Sequence, residues 1–170
     1  MGNTVGSRSA LSLNETAYIA GFLDGDGSIS ARIGKYPNSW SGFRVRIVVT
    51  FAQKTGNQKL LKQIKSELGL GRKIANYRTN GMSELVVSDR AEVKRLLETV
   101  NPFLKLKKPQ AKLALRVISL LNDKRGNKNA ISRNNFRKIL KLSRRLRQLN
   151  AGTGHKENTR LDKIINDLTP

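Results

Sequence analysis

Two acids, Asp24 and Asp26, are separated by Gly25 and followed by Gly27. They close the run Tyr18-Ile19-Ala20-Gly21-Phe22-Leu23, which reads as the last turns of a helix. A helix C-terminus carries roughly half a negative charge, so an acid placed there costs about 0.3–1 kcal/mol. Two acids at that end make physical sense when a cation sits between them. The chain is also strongly basic: 33 Lys and Arg against 12 Asp and Glu give its 170 residues a formal net charge of +21. Such an imbalance bears on partners rather than fold, and the partner it implies is a polyanion. A divalent metal held by carboxylate and turned toward a phosphate satisfies both observations. Mg2+ takes one or two carboxylates with waters and phosphate oxygens, and paired metals can support in-line hydrolysis.

Spacing removes two other uses of Asp-Gly-Asp-Gly. A calcium loop beginning at Asp24 needs Gly at its sixth position and Glu at its twelfth, where the chain has Ile29 and Lys35. A dinucleotide fingerprint from Gly25 and Gly27 needs a third glycine where Ser30 stands, and a strand rather than a helix before it. A helix-ending turn with solvated acids is the remaining alternative. The absence of cysteine excludes disulfides and thiolate metal sites. No apolar run reaches the length of a membrane span, so no membrane partner is expected.

The elements that must position these acids follow from pattern. Residues 1–11 lack periodicity and read as a flexible tail, leaving 12–170 as a single domain. Ser12 with Glu15 forms a capping box that starts a helix running to about Asp24. Ala17, Gly21 and Gly25 recur at every fourth position, giving a smooth helix face that another backbone can approach closely. Strict alternation over Ser28–Ile33 and Phe43–Phe51 predicts a long hairpin, with a turn-rich loop between. Its polar face bears Ser28, Ser30, Arg32, Arg44, Arg46 and Thr50, and no acid occurs between Asp26 and Glu67. A helix from Gln58 to Leu68 follows, then strands around Asn80-Gly81, a signal for a two-residue type I′ turn. Asp89 with Glu92 caps another helix, Pro109 opens a fourth reaching about Asn122, and Ser132 a fifth reaching about Leu149. Leu161, Ile164, Ile165 and Leu168 mark a last short helix. The pattern is α+β with an antiparallel sheet.

The segment Tyr18 to Gly27 resembles the LAGLIDADG motif of the homing endonucleases. Gln53 in Phe51-Ala52-Gln53-Lys54-Thr55 and Lys107 within Phe103 to Ala111 match further family positions in the same order. The resemblance implies a curved antiparallel β-sheet saddle with helices packed on one face, plus C-terminal helices. It implies a metal-dependent endonuclease that hydrolyses one phosphodiester in each strand of a long pseudo-palindromic DNA duplex. Catalytic roles carry to Asp26, Gln53 and Lys107. Asp26 and the Gly25 carbonyl are the implied metal ligands, Gln53 orders water, and Lys107 steadies developing charge. Asp24 is the motif's more structural acid. The cofactor is Mg2+, with Mn2+ able to substitute and Ca2+ binding without supporting cleavage. Some relatives carry a basic residue where Asn57 stands, which leaves the composition of the water pocket open.

One motif per chain supplies one helix and one metal-binding acid, whereas cutting a duplex needs two. A symmetric homodimer is therefore expected, joined through Ala17, Tyr18, Ala20, Gly21, Leu23 and Asp24. A two-stranded ribbon fits a major groove and its arginines can pair with guanine. Lys35, Tyr36, Asn38 and Trp40 extend the hairpin's candidate DNA contacts, with Arg72, Asn76, Arg78 and Glu84 on the next pair of strands. Lys156, beside the lone His155, is expected to meet phosphate. Two alternatives keep the fold: a maturase that binds intron RNA, and a DNA-binding protein without catalysis. Retention of Asp26, Gln53 and Lys107 argues against the second. An intracellular location is expected, with a mitochondrion or chloroplast compatible with the acid-free, Ser-containing first 14 residues.

Overall fold

The computed structural model describes residues 11–70, 74–77, 81–123 and 131–150. The expected tail, the last short helix, and Arg72, Arg78 and Lys156 lie outside the described residues. Helix α1 (Leu13–Asp26) begins at the predicted capping box: Ser12 Oγ accepts from the Glu15 amide at 3.2 Å, and the Glu15 carboxylate accepts from the Ser12 amide at 2.8 Å. These Ser12 bonds, backbone first, hold the Glu15 carboxyl below its usual range. The helix continues past Gly25 to Asp26, two residues beyond the expected end. Gly27 leaves it in ordinary extended backbone, with φ −105°. Packing demands glycine there, because a Cβ would lie 2.5 Å from Leu23 Cδ1 and 2.8 Å from the Leu23 carbonyl oxygen.

Strand β1 (Gly27–Lys35) turns back into β2 (Phe43–Lys54), pairing Gly27 with Phe51 and Lys35 with Phe43. Gly42 closes the loop at φ +68°, a left-handed conformation that glycine adopts without steric cost. Strand β3 (Ile74–Tyr77) pairs antiparallel with β4 (Met82–Val87), and β4 with the second half of β2, giving the order β1-β2-β4-β3. The register sends Ile29, Ala31, Val45, Ile47, Val49, Phe51, Leu85 and Val87 to one face, where all are buried. Burying each large aliphatic or aromatic side chain there contributes about 1.5–3 kcal/mol. Phe22 of α1 stacks on Phe51 with ring centroids 6.0 Å apart, seating the helix on the sheet.

The expected two-residue turn at Asn80-Gly81 includes Asn80, which lies outside the described residues. Among the described residues Tyr77 stands opposite Met82, and Gly81 has φ +63°. Fully buried Ser83 holds this register by donating to Asn76 Oδ1 at 2.8 Å.

Helix α2 (Gln58–Glu67) buries Leu61 and Ile64 and is followed by Gly69 at φ +62°. Asp89 caps α3 (Arg90–Val100), accepting from the Ala91 and Glu92 amides. Pro109 lies in the first turn of α4 (Lys108–Asn122). Helix α5 (Arg133–Asn150) starts where Ser132 Oγ accepts from the Asn135 amide at 3.2 Å. It runs beside the free edge of β1, where Arg147 Nε donates to the Ala31 carbonyl and Asn150 Nδ2 to the Ile29 carbonyl. Among the described residues, helices thus cover one sheet face and one edge and leave the other face open, the α+β arrangement expected. No described helix is long and apolar enough to cross a membrane.

Candidate active site and nucleic-acid interface

The two acids of the α1 exit do different work. Asp24 is buried at 8% exposure, and its carboxylate accepts three backbone N–H bonds from a loop about eighty residues away. Lys105 N lies at 2.7 Å, Leu106 N at 3.2 Å and Lys107 N at 2.8 Å. Burial pushes the Asp24 carboxyl upward, but these amides and the Lys107 charge outweigh it and hold its pKa below the usual value. The Lys107 ammonium donates to the Asp24 carbonyl oxygen, placing a cation on the negative end of α1. The acid that looks costly by sequence is therefore a latch for the Lys105-Leu106-Lys107 turn.

Asp26, the last residue of α1, is exposed. Gln53 Nε2 donates to its Oδ2 at 3.4 Å, because β2 runs on past the Gly27–Phe51 pair and Gln53 lies two residues beyond it. The Gln53 side-chain oxygen in turn accepts from Lys54 N at 3.0 Å and Asn57 Nδ2 at 3.4 Å. Asp26, Gln53 and Lys107 thus gather at one helix end. Asn57 orients Gln53, a role that its spacing four residues on did not reveal.

The donor set fits a hard divalent cation. Among the described residues no group of three His, Cys, Asp or Glu could enclose a metal, so an all-protein cage is excluded there. Asp26 offers an exposed carboxylate, and nothing lies within 4 Å of where a Gly25 side chain would begin. One carboxylate with open space suits Mg2+, which retains waters and takes substrate oxygens.

On the open face, Arg32 stands directly opposite Arg46, with Ser28, Ser30 and Arg44 along the same side. Like charges facing across strands destabilise a sheet unless an anion lies over them. Arg32, Arg44, Arg46 and Ser28 are exposed and Ser30 is half-buried. Glu84 shares this face, opposite Ala52 and Ala75. Three candidates need correction. Thr50 points to the open face but is only 7% exposed, in register between Ser28 and Val86. Asn76 is exposed but alternates onto the side of Ser83, where Gln58 and Ser83 donate to its side-chain oxygen. Lys35 is exposed but follows Ile29, Ala31 and Ile33 onto the helix-covered side. At the hairpin tip Asn38 is exposed, Tyr36 lies under the Arg44 guanidinium at 5.7 Å, and Trp40 packs edge-on against Phe136 of α5 at 5.5 Å.

The expected dimer face also divides. Ala17, Tyr18 and Gly21 are exposed on α1. Ala20 and Leu23 are fully buried in the protomer's own core, because they fall on the face of α1 that meets the sheet. Asp24, 8% exposed, is held by the 105–107 turn. Sequence reasoning missed Leu13 and Leu106, exposed at 75% and 72%. Leu13 sits four residues before Ala17, a spacing that marks the same helix face.

Residues 19–112 match the family model described as LAGLIDADG endonuclease. The DNA endonuclease I-CvuI of Chlorella vulgaris is 37% identical over 105 residues, 62% of this chain and 64% of the relative. The DNA endonuclease I-CreI of Chlamydomonas reinhardtii is 38% identical over 107 residues, 61% of this chain and 62% of the relative. The chain therefore spans a little under two thirds of the curated relatives it matches. In three dimensions, I-CvuI in complex with its target in the presence of calcium superimposes with TM-score 0.74 and 28% identity, over 91% of this chain and 94% of that one. An archaeal intron-encoded homing endonuclease, I-Vdi141I complexed with DNA, shares the fold at TM-score 0.75 and 24% identity over 91% of this chain and 94% of that one. With the motif, the fold and the gathered residues in agreement, the chain belongs to the LAGLIDADG endonuclease family.

Proposed function

We propose that this protein is a homodimeric, site-specific DNA endonuclease that uses Mg2+ to hydrolyse one phosphodiester in each strand of a duplex. The observation that carries this reading is the convergence of Asp26, Gln53 and Lys107 at the exit of α1. Asp26 and the Gly25 carbonyl would hold the metal, with Mn2+ an effective substitute and Ca2+ a non-catalytic one. Bound there, Mg2+ would neutralise phosphate charge and acidify an attacking water. Gln53, oriented by Lys54 N and Asn57, positions that water through its amide. The Lys107 ammonium, fixed by the Asp24 latch, opposes the negative charge that develops on the phosphate. Arg32, Arg44 and Arg46 seat the duplex on the open face.

Dimerisation is supported by two glycines. Gly21 and Gly25 lie within α1, where each costs about 1 kcal/mol relative to alanine. Nothing among the described residues requires them, since a Cβ at either would meet no atom within 4 Å. A second α1 packed against this face accounts for their smallness, and would cover Leu13, Tyr18 and Leu106. Both Asp26 side chains would then lie near one axis, one for each strand.

The test is cleavage of a pool of random-sequence duplexes in Mg2+, followed by sequencing of the cut molecules. A recurrent pseudo-palindromic sequence is expected from the native protein. Asp26→Asn should bind that sequence and leave it uncut; cleavage by this variant at the native rate would overturn the assignment.

A further inference from the structure

The exposed side of α5 has no part in the chemistry above, yet it is among the most charged surfaces of the chain. Arg133, Arg137, Lys138, Lys141, Arg144 and Arg145 are all exposed, while Phe136, Ile139, Leu140, Ser143 and Leu146 are buried. At about 100° per residue the six cations fall within about 140° of arc, over about 18 Å of helix. No acid occurs anywhere in α5. Positions 133, 137, 141 and 145 therefore stack like charges at every fourth residue, and 138, 141 and 144 at every third, spacings that weaken a helix in isolation. Apolar packing against α4 and β1 offsets that cost, but it does not call for cations on the outer side.

We propose that this face of α5 is a second DNA-binding surface, which holds the phosphates of duplex lying beyond the segment seated on the sheet, without regard to base sequence. The helix is fixed to the sheet's edge: Arg147 and Asn150 bond β1 carbonyls, and Phe136 receives Trp40 from the hairpin tip. The helix that carries these cations is therefore held at the edge of the strand that bears Arg32. Cations every fourth residue lie about 6 Å apart along the helix, close to every second phosphate of a strand with about 3.4 Å between charges. The face presents no aromatic ring, and of uncharged polar groups only Asn134 and Gln148. It therefore lacks the stacking platforms that recognise unpaired bases of RNA, and suits a continuous duplex backbone.

The inference rests on the sheet being the primary DNA face, and the experiment separates the two. Binding is measured against NaCl concentration for arbitrary DNA duplexes of about 20 and about 60 base pairs, and for an RNA duplex of the longer length. The triple variant Lys138→Gln, Lys141→Gln, Arg145→Gln should bind the long DNA several-fold more weakly. Its slope of log K against log salt should become less negative by about 0.9 for each phosphate that is no longer neutralised. Binding of the short duplex should change little. Lys141→Gln alone should make the slope shallower by about 0.9, which keeps the test open if the triple variant folds poorly. Unchanged affinity and slope on long DNA would overturn this inference, as would a greater loss on RNA than on DNA. In parallel, Arg32→Ala with Arg46→Ala should weaken both DNA lengths. If that pair instead has no effect, the sheet reading fails and this one fails with it.

Discussion

Replacing Asp24 by asparagine tests whether this acid is a structural latch. The carboxylate receives Lys105 N and Leu106 N on one oxygen and Lys107 N on the other. Asparagine keeps one acceptor oxygen, which can retain the Lys105 and Leu106 pair. Its amide then meets the Lys107 N–H donor to donor. The loss of one bond to a charged group costs about 1.5–3 kcal/mol, and the two retained bonds fall to the strength of neutral ones. A destabilisation of about 3 kcal/mol follows, equivalent to roughly 6–12 °C in Tm for a chain of this size. Urea melts at fixed protein concentration and neutral pH measure it. The sign of its pH dependence is also set. The folded-state pKa of Asp24 is lowered, so its stabilisation is complete above the unfolded value of about 3.9 and is lost as pH falls through the folded value. The gap between native and variant should be constant near neutrality and narrow only below about pH 4. A loss under about 0.5 kcal/mol, the scale of an ordinary surface change, would refute the latch.

Three further outcomes follow from the same geometry. Gly21→Leu should fold at least as stably as the native protomer, since its Cβ meets nothing within 4 Å, yet run as a monomer by light scattering; a persistent dimer would move the interface elsewhere. Ser12→Ala should cost about 1 kcal/mol in thermal or urea unfolding by removing the α1 cap, without altering DNA affinity. If a dimer contacts on the order of eight phosphates, log K should fall with log salt at a slope of about −7, and a flat dependence would contradict the electrostatic account of binding.

Several local features are legible because they depend on neighbours in sequence. The Ser12/Glu15 box, the alternation of β1 and β2, and Pro109 in the first turn of α4 follow from local backbone sterics and period. Alternation also assigns Arg32, Arg44 and Arg46 to the uncovered face. It fails at the margins. Lys35 reads as part of the tip loop although its parity matches Ile33, and the side on which Asn76 falls depends on the register of β3. That register is held by the Ser83–Asn76 tie, which no local pattern records.

From residue types and spacing alone come the basic character, the α+β order, the small-residue face of α1 and the pair of acids at its exit, while the choice of Asp26, Gln53 and Lys107 rests on the resemblance to the family's motif. Those properties are carried by composition and by interactions between near neighbours, which a linear pattern records. The division of labour between Asp24 and Asp26 is decided by the tertiary structure. A loop some eighty residues away supplies three N–H donors to one carboxylate and leaves the other exposed beside Gln53. The same holds for which α1 residues remain on the surface and for the fixing of a basic α5 to the edge of β1. Each depends on long-range packing and strand register, and these bring together groups whose sequence separation carries no sign of their meeting.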